Sequence, residues 1–177
     1  MPFDRQPTLR GSLLELRPLR SGDFDALYAV AADPLIWAVH PARDRYQEPV
    51  FRAFFADGLA SGGALLATDA ATDKVVGTSR FDGYDEAQSE IEIGWTFLAR
   101  SHWGGAYNGE MKRLMLTHAF RYVSRVVFKV GQGNVRSQRA LEKIGAVRNG
   151  FRPDAGGEQR VLFAITPEVF ERWVASR

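Results

Sequence analysis

The residue types with the most chemical potential run through Leu98-Ala-Arg-Ser-His-Trp-Gly-Gly-Ala-Tyr-Asn-Gly-Glu110. The segment leaves an alternating apolar strand and passes through Gly104-Gly105-Ala106 into a long helical pattern. Small residues there let the backbone approach a ligand closely. Successive free N–H groups, aligned with the helix dipole, then form an anion site suited to a pyrophosphate. A plain strand-to-helix turn that uses glycine for its shape accounts for the same residues. Two phosphate motifs fail here. A P-loop needs Lys and then Ser or Thr after Gly109, where the chain has Glu110-Met111. The dinucleotide fingerprint fails twice: Gly104-Gly105-Ala106 lacks its second glycine, and Gly131-Gln132-Gly133 is followed by Arg136 instead of a third.

A second segment, Gly133-Asn134-Val-Arg-Ser-Gln-Arg-Ala-Leu-Glu-Lys-Ile-Gly145, opens on a good N-cap residue, Asn134. Arg136 and Arg139 can reach a phosphate from its first turns. The competing reading is a capped amphipathic helix that buries Val135, Ala140, Leu141 and Ile144 and leaves its arginines in solvent. Glu92 stands between Ile91 and Ile93 in a strand pattern, where a carboxylate kept from solvent has a raised pKa and serves as a base. A wet or salt-bridged Glu90/Glu92 face is the alternative.

Composition narrows the classes. The 177 residues suffice for one domain, 1–177, with a sizeable core. The 23 basic and 21 acidic side chains leave a formal charge of only +2, with no basic run to hold a nucleic acid. There is no cysteine, which removes disulfides, thiolate metal sites and cysteine nucleophiles and fits a reducing compartment. No apolar stretch approaches the roughly 20 residues that span a bilayer, and Met1 to Arg5 carries no signal pattern, so a soluble cytoplasmic protein without a membrane partner is expected.

The elements that must position these residues follow from periodicity. Strands are expected at Leu13 to Arg17, Ala64 to Thr68, Val75 to Phe81, Glu90 to Leu98, Val126 to Val130 and Arg160 to Ile165, with a seventh around Ala146 to Phe151. Ile91, Ile93, Trp95 and Phe97 then share one strand face, opposite Glu90, Glu92 and Thr96. Helices are expected after Ser21 up to Asp33-Pro34, from near Pro49 to Gly58, from Ala106 to Val123, from Asn134 to Ile144, and after Thr166-Pro167. Strand–helix–strand around the long helix requires a parallel crossover, while the hairpins are antiparallel. The fold class is α+β: a twisted mixed sheet of six to seven strands with helices on both faces.

Trp103-Gly104-Gly105-Ala106-Tyr107-Asn108-Gly109-Glu110 resembles the acetyl-CoA pyrophosphate loop of the GNAT superfamily, in the branch of the RimJ/RimL-type ribosomal-protein N-terminal acetyltransferases. Asn134-x-x-Ser137 followed by Ala140-Leu141-x-x-Ile144-Gly145-Ala146 is similar to that branch's second cofactor motif, and Glu90-Ile-Glu-Ile-Gly-Trp95 resembles its fourth strand. One departure stands out. Ser101, beside Arg100, occupies the place where the superfamily loop carries Gln or Arg. The resemblance implies an acyl-CoA N-acyltransferase fold and acetyl transfer from acetyl-CoA to a primary amine, by direct attack in a ternary complex and with no metal. The acceptor is then a protein N-terminus or a small-molecule amine, and a homodimer is an option by family analogy. A CoA-ester-binding sensor or scaffold without turnover is the alternative.

The resemblance also distributes roles. Glu92 becomes the base and Ser137 the proton donor to the CoA sulfur, against a bland role for Ser137 as partner of the Asn134 cap. The N–H groups of Gly104, Gly105, Ala106, Tyr107 and Asn108 hold the pyrophosphate, aided by Arg100, His102, Trp103, Asn134, Arg136 and Arg139. Phe97, Leu98 and Ala99 pair with the pantetheine amides. Trp37, Tyr84 and Glu90 face the acceptor, in or beside the otherwise unreadable segments Trp37 to Tyr46 and Gly83 to Gln88. His118 falls in register with Met111, Leu114, Met115 and Tyr122 and is expected to pack, and no pair of the three histidines has metal-ligand spacing. Gly77-Thr-Ser79-Arg-Phe81 misses a hydrolase elbow at its last position.

Overall fold

Glycine and proline punctuate the chain closely enough that most element ends fall near their expected places. The computed structural model describes residues 1–177. In chain order the elements are β1 (Leu9–Arg10), β2 (Leu14–Pro18), α1 (Phe24–Ala31), α2 (Glu48–Ser61), β3 (Ala64–Asp69), β4 (Val75–Asp85), β5 (Glu90–Leu98), α3 (Ala106–Ala119), β6 (Arg125–Val130), α4 (Val135–Lys143), β7 (Val147–Pro153), β8 (Gln159–Ile165) and α5 (Pro167–Ala175). The sheet has eight strands in the order β1-β2-β3-β4-β5-β6-β8-β7, not six to seven. The additional strand is the two-residue β1, too short to carry a periodic signal.

Three boundaries correct the sequence-based expectation. Gly58 does not end α2; it is buried inside it, because a Cβ there would come within 3.4 Å of the Arg80 guanidinium and 3.5 Å of Ala64. The left-handed stop is Gly62, at φ 68°. Ser21 does not cap α1: Ser21–Asp23 forms a 3₁₀ turn in which the Asp23 carboxylate accepts from the Arg20 N–H at 2.8 Å. α3 stops at Ala119, four residues short of Val123.

Alternation along β3 places Leu65 and Ala67 on one sheet face and Leu66 on the other. The first face carries α3, α4 and α5 over the larger core, with Ile91, Ile93, Met111, Met115, Phe163 and Phe170. The second carries α1 and α2 over a smaller aromatic core of Trp37, Phe51, Phe55 and Phe97. His118 is buried in the larger core and donates Nε2–H to the Asp4 carbonyl at 2.7 Å. No helix is long and apolar enough to cross a membrane.

The site depends on two irregularities of β5. β5 and β6 are the only parallel neighbours, joined across α3, and they pair only at Glu90↔Arg125, Ile91↔Val126 and Glu92↔Val127. Beyond Glu92 they part, and the second half of β5 has no partner on that edge. On the other edge, Thr78 opposes Phe97 while Arg80 opposes Gly94, so β5 holds one extra residue there. The bulge is Trp95, at φ 52°, lying 4.3 Å from the Arg80 guanidinium. It inverts the alternation: Phe97 belongs to the α1/α2 face, not to the face of Ile91 and Ile93 as strict alternation predicted.

Candidate active site

Where β5 and β6 separate, a cleft of about 1390 Å³ opens toward the N-terminus of α3. Gly104 and Gly105 take φ of 113° and 105°, values an L side chain resists, and turn the chain into α3 at Ala106. A Cβ on either would meet nothing within 4 Å, so the space over this turn is open. The backbone N–H groups of Gly104 through Asn108 donate no hydrogen bond within the protein; the first amide of the run to do so is Gly109, to the Gly105 carbonyl at 2.8 Å. Gly104, Gly105 and Asn108 line the cleft. A row of unsatisfied donors at the positive end of a helix dipole fits a pyrophosphate.

Neighbouring side chains brace this turn. The Trp103 indole N–H donates to the Leu98 carbonyl at 3.0 Å, and Arg136 from α4 stacks over the ring at 3.7 Å. His102 and Tyr107 both bond to Asp69, at 2.9 and 3.1 Å. The His102 bond, helped by the Ala71 N–H, draws the Asp69 carboxyl down to about 2. Glu110, to which the sequence assigned no structural role, is a buried strut. Its carboxylate accepts from Ser12 N and Oγ, Leu13 N and Leu14 N at 2.8–2.9 Å and so ties α3 to β2.

The two β5 carboxylates have different surroundings. Glu90 is buried between Arg125 and Arg152, at 2.9 and 2.6 Å, and does not line the cleft. Glu92 is buried and lines it, with Lys129 Nζ at 3.2 Å. Burial pushes the Glu92 carboxyl up, and Lys129 only partly offsets that. On α4, Asn134 caps the helix by accepting the Ser137 N–H at 3.3 Å. The Ser137 hydroxyl has no partner within the protein, and the residue lines the cleft. Val135, expected in the buried stripe of α4, is 49% exposed and lines the cleft as well.

Residues 14–147 match the model of the acetyltransferase (GNAT) domain. The chain belongs to the GNAT acetyltransferase family. It is 27% identical to the uncharacterised N-acetyltransferase p20 of Bacillus licheniformis, over 83% of this chain and 86% of the relative. Among solved structures, a GCN5-related N-acetyltransferase from Brucella melitensis superposes with TM-score 0.80 at 20% identity, covering 98% of this chain and 86% of that one. The RimJ of Mycobacterium smegmatis, solved in complex with CoA-disulfide, superposes at 0.68 with 20% identity, over 96% and 93%. This chain is thus an N-acetyltransferase, and members of its family use acyl-CoA.

Placed on the structure of this acetyltransferase, the residues singled out from sequence divide cleanly. Glu92, Phe97, Leu98, Trp103, Gly104, Gly105, Asn108, Asn134, Arg136, Ser137 and Arg139 converge on the cleft. Ala99, Arg100, His102, Ala106 and Tyr107 do not line it. The Arg100 side chain pairs with Asp33, and Tyr107 and His102 turn to Asp69. The three residues expected to face the acceptor, Trp37, Tyr84 and Glu90, do not line the cleft. Trp37 is 1% exposed and plugs the smaller core, its indole N–H bonded to the Ala31 carbonyl at 2.8 Å. Tyr84 packs under Phe3, and Glu90 is held by its two arginines. The side of the cleft away from the α3 turn is lined instead by His40 and Arg45, by Asp82 and Gly83, and by Asp154, Glu158 and Arg160. His40 accepts the Ala42 N–H on Nδ1 and is pushed down to about 4 by burial and then by Arg45, Arg160 and Arg136. Arg45 has no ion-pair partner and stacks on Phe54 at 4.4 Å. His40, Arg45 and Gly83 fall in the segments Trp37 to Tyr46 and Gly83 to Gln88, whose residue types carry no readable motif.

Proposed function

We propose that this chain acetylates a primary amine with acetyl-CoA by direct attack in a ternary complex. The observation that carries this is the row of free N–H groups, Gly104 to Asn108, opening onto the cleft that also holds Glu92. Acetyl-CoA supplies an activated acyl carbon and a sulfur leaving group. The amides of the α3 turn bind its pyrophosphate, and Arg136, beside Trp103, adds a cation on the same wall. The open edge of β5 at Phe97 and Leu98 offers strand-type hydrogen bonds to the pantetheine arm.

Glu92 takes the proton that the acceptor ammonium must lose, directly or through water. Its raised pKa brings it nearer to that of an amine, and general-base help of this kind is worth about 10²–10⁴-fold. As the nitrogen–carbon bond forms and the carbon–sulfur bond breaks, Ser137 gives a proton to the departing sulfur from a hydroxyl that has no competing partner. That proton is replaced by the one the attacking nitrogen sheds on becoming an amide. Protonation silences the base, so activity rises with pH through the elevated Glu92 pKa. The acceptor is a protein N-terminus or a small-molecule amine, and the Trp103 to Glu110 loop supports kinship with the RimJ/RimL type.

Amine-dependent release of CoA thiol from acetyl-CoA tests the reading, screened over peptide N-termini and small amines. Turnover that collapses in Glu92→Gln and falls in Ser137→Ala, with acetyl-CoA affinity kept, supports it. Acetyl-CoA binding without turnover on any acceptor would instead favour a sensor or scaffold role. Unchanged turnover in the double variant would overturn the assignment of both residues.

A further inference from the structure

The floor of the cleft contains a cation that the proposed chemistry does not use. Lys112 lies on α3, two turns beyond the glycine turn, and is only 7% exposed, yet it lines the cleft. Its ammonium reaches the gap between the parted strands. Nζ donates to Thr96 Oγ1 of β5 at 3.3 Å and stands 5.3 Å from the Phe128 ring of β6. Thr96 Oγ1 is also tied to Ser79 Oγ at 2.8 Å. No carboxylate pairs with Lys112. The other charged groups around the cleft on the packed elements are Glu92 on β5, Lys129 on β6, Arg136, Arg139 and Lys143 on α4, and Arg177. Glu92 is engaged by Lys129, and burial is the cause that raises the acidity of Lys112.

An ammonium has three N–H donors, and only one has a partner here. A buried cation with spare donors and no counter-ion is costly, so it persists where a ligand completes it. The position limits what that ligand offers. Lys112 sits between β5 and β6, beyond the amide row that suits phosphate, where the two strands have parted. We propose that Lys112 binds the arm of the acyl-CoA, donating a charge-assisted hydrogen bond to one of its carbonyl oxygens. This rests on the acetyl-CoA reading above and adds a cofactor-positioning residue to it.

The ammonium form is the one that donates. Burial brings free Lys112 down to about 8, so arm binding must draw the pKa up again and take up a proton near and above pH 8. Affinity for acetyl-CoA then falls as pH rises through that value. The thioester sulfur carries no proton to confuse the reading.

The test is calorimetry of the full chain and its Lys112→Met variant with two ligands, acetyl-CoA and adenosine 3′,5′-bisphosphate, which lacks the arm. The expected result is acetyl-CoA binding weakened roughly ten- to a hundredfold in the variant, with the bisphosphate unaffected. Titrations just above pH 8 in buffers of different ionisation heat should show proton uptake in the unaltered chain and none in Lys112→Met. The variant should melt no lower than the parent, since it removes an unpaired buried charge. Equal acetyl-CoA affinities, or equal weakening of both ligands, would overturn the role of Lys112 while leaving the cofactor assignment intact. No acetyl-CoA binding by the unaltered chain would overturn the assignment itself.

Discussion

The two walls of the cleft are built on different principles. The wall proposed for the cofactor is mostly backbone: a bent strand edge, a double-glycine turn and a row of amide donors at one helix start. The wall proposed for the acceptor is mostly side chains, carried by the loop after α1, the end of β4 and the β7–β8 turn. Pro41 of that first loop packs where a Cβ on Gly131 would stand, so the wall is closed by contact between segments far apart in sequence. Backbone sites demand glycine, caps and a strand end in a fixed order, whereas side-chain walls accept almost any residue. The first wall therefore suits a constant ligand and the second a variable one. Glu92 lies where they meet.

The largest effect is expected at that junction. Glu92→Gln should lower kcat by about 10²–10⁴-fold with the acetyl-CoA Kd unchanged. Lys129→Met removes the cation that holds the Glu92 carboxyl down, so the acid limb of the kcat profile should move to higher pH. A limb that stays in place would assign that pKa to another group. Next is the backbone wall. Gly105→Ala puts a side chain at φ 105°, at a strain of about 1–3 kcal/mol, and should weaken acetyl-CoA binding roughly tenfold with a smaller change in acceptor KM. The reverse pattern would place the acceptor on this wall.

Arg45→Ala should do the opposite, raising acceptor KM about three- to tenfold while acetyl-CoA affinity stays put, because this guanidinium stacks on Phe54 but has no ion-pair partner on the protein. An effect on acetyl-CoA alone would move Arg45 to the cofactor side. The smallest effect on turnover is expected at Glu90→Gln, which breaks pairs with Arg125 and Arg152 outside the cleft. It should lower stability by about 1–3 kcal/mol in thermal or urea unfolding and leave activity per folded molecule near normal. A large loss of kcat there would erase the distinction drawn between the two carboxylates.

The same contrast explains what was legible in the sequence. β5 falls at Glu90–Leu98 and α3 opens at Ala106 as expected, because alternation and glycine act locally. The Trp95 bulge was not legible. An extra residue leaves the hydrophobic pattern of one strand intact and shows only in its register against β4. Trp37 read as an acceptor contact because a lone aromatic in a loop has no periodicity to mark it as core, yet it fills the space beside Phe97. Glu90 and Glu92 are indistinguishable in sequence. Their partners lie 35 to 62 residues away from Glu90, and only the sheet order brings Arg125 and Arg152 to one carboxylate and Lys129 to the other.

The central claim is that the α3 turn and the open edge of β5 form an acetyl-CoA site. Calorimetric titration of the purified chain with acetyl-CoA, run beside ATP, tests it most directly. Micromolar binding of acetyl-CoA with ATP silent is the predicted result. Heat from ATP alone, or from neither ligand, would contradict it.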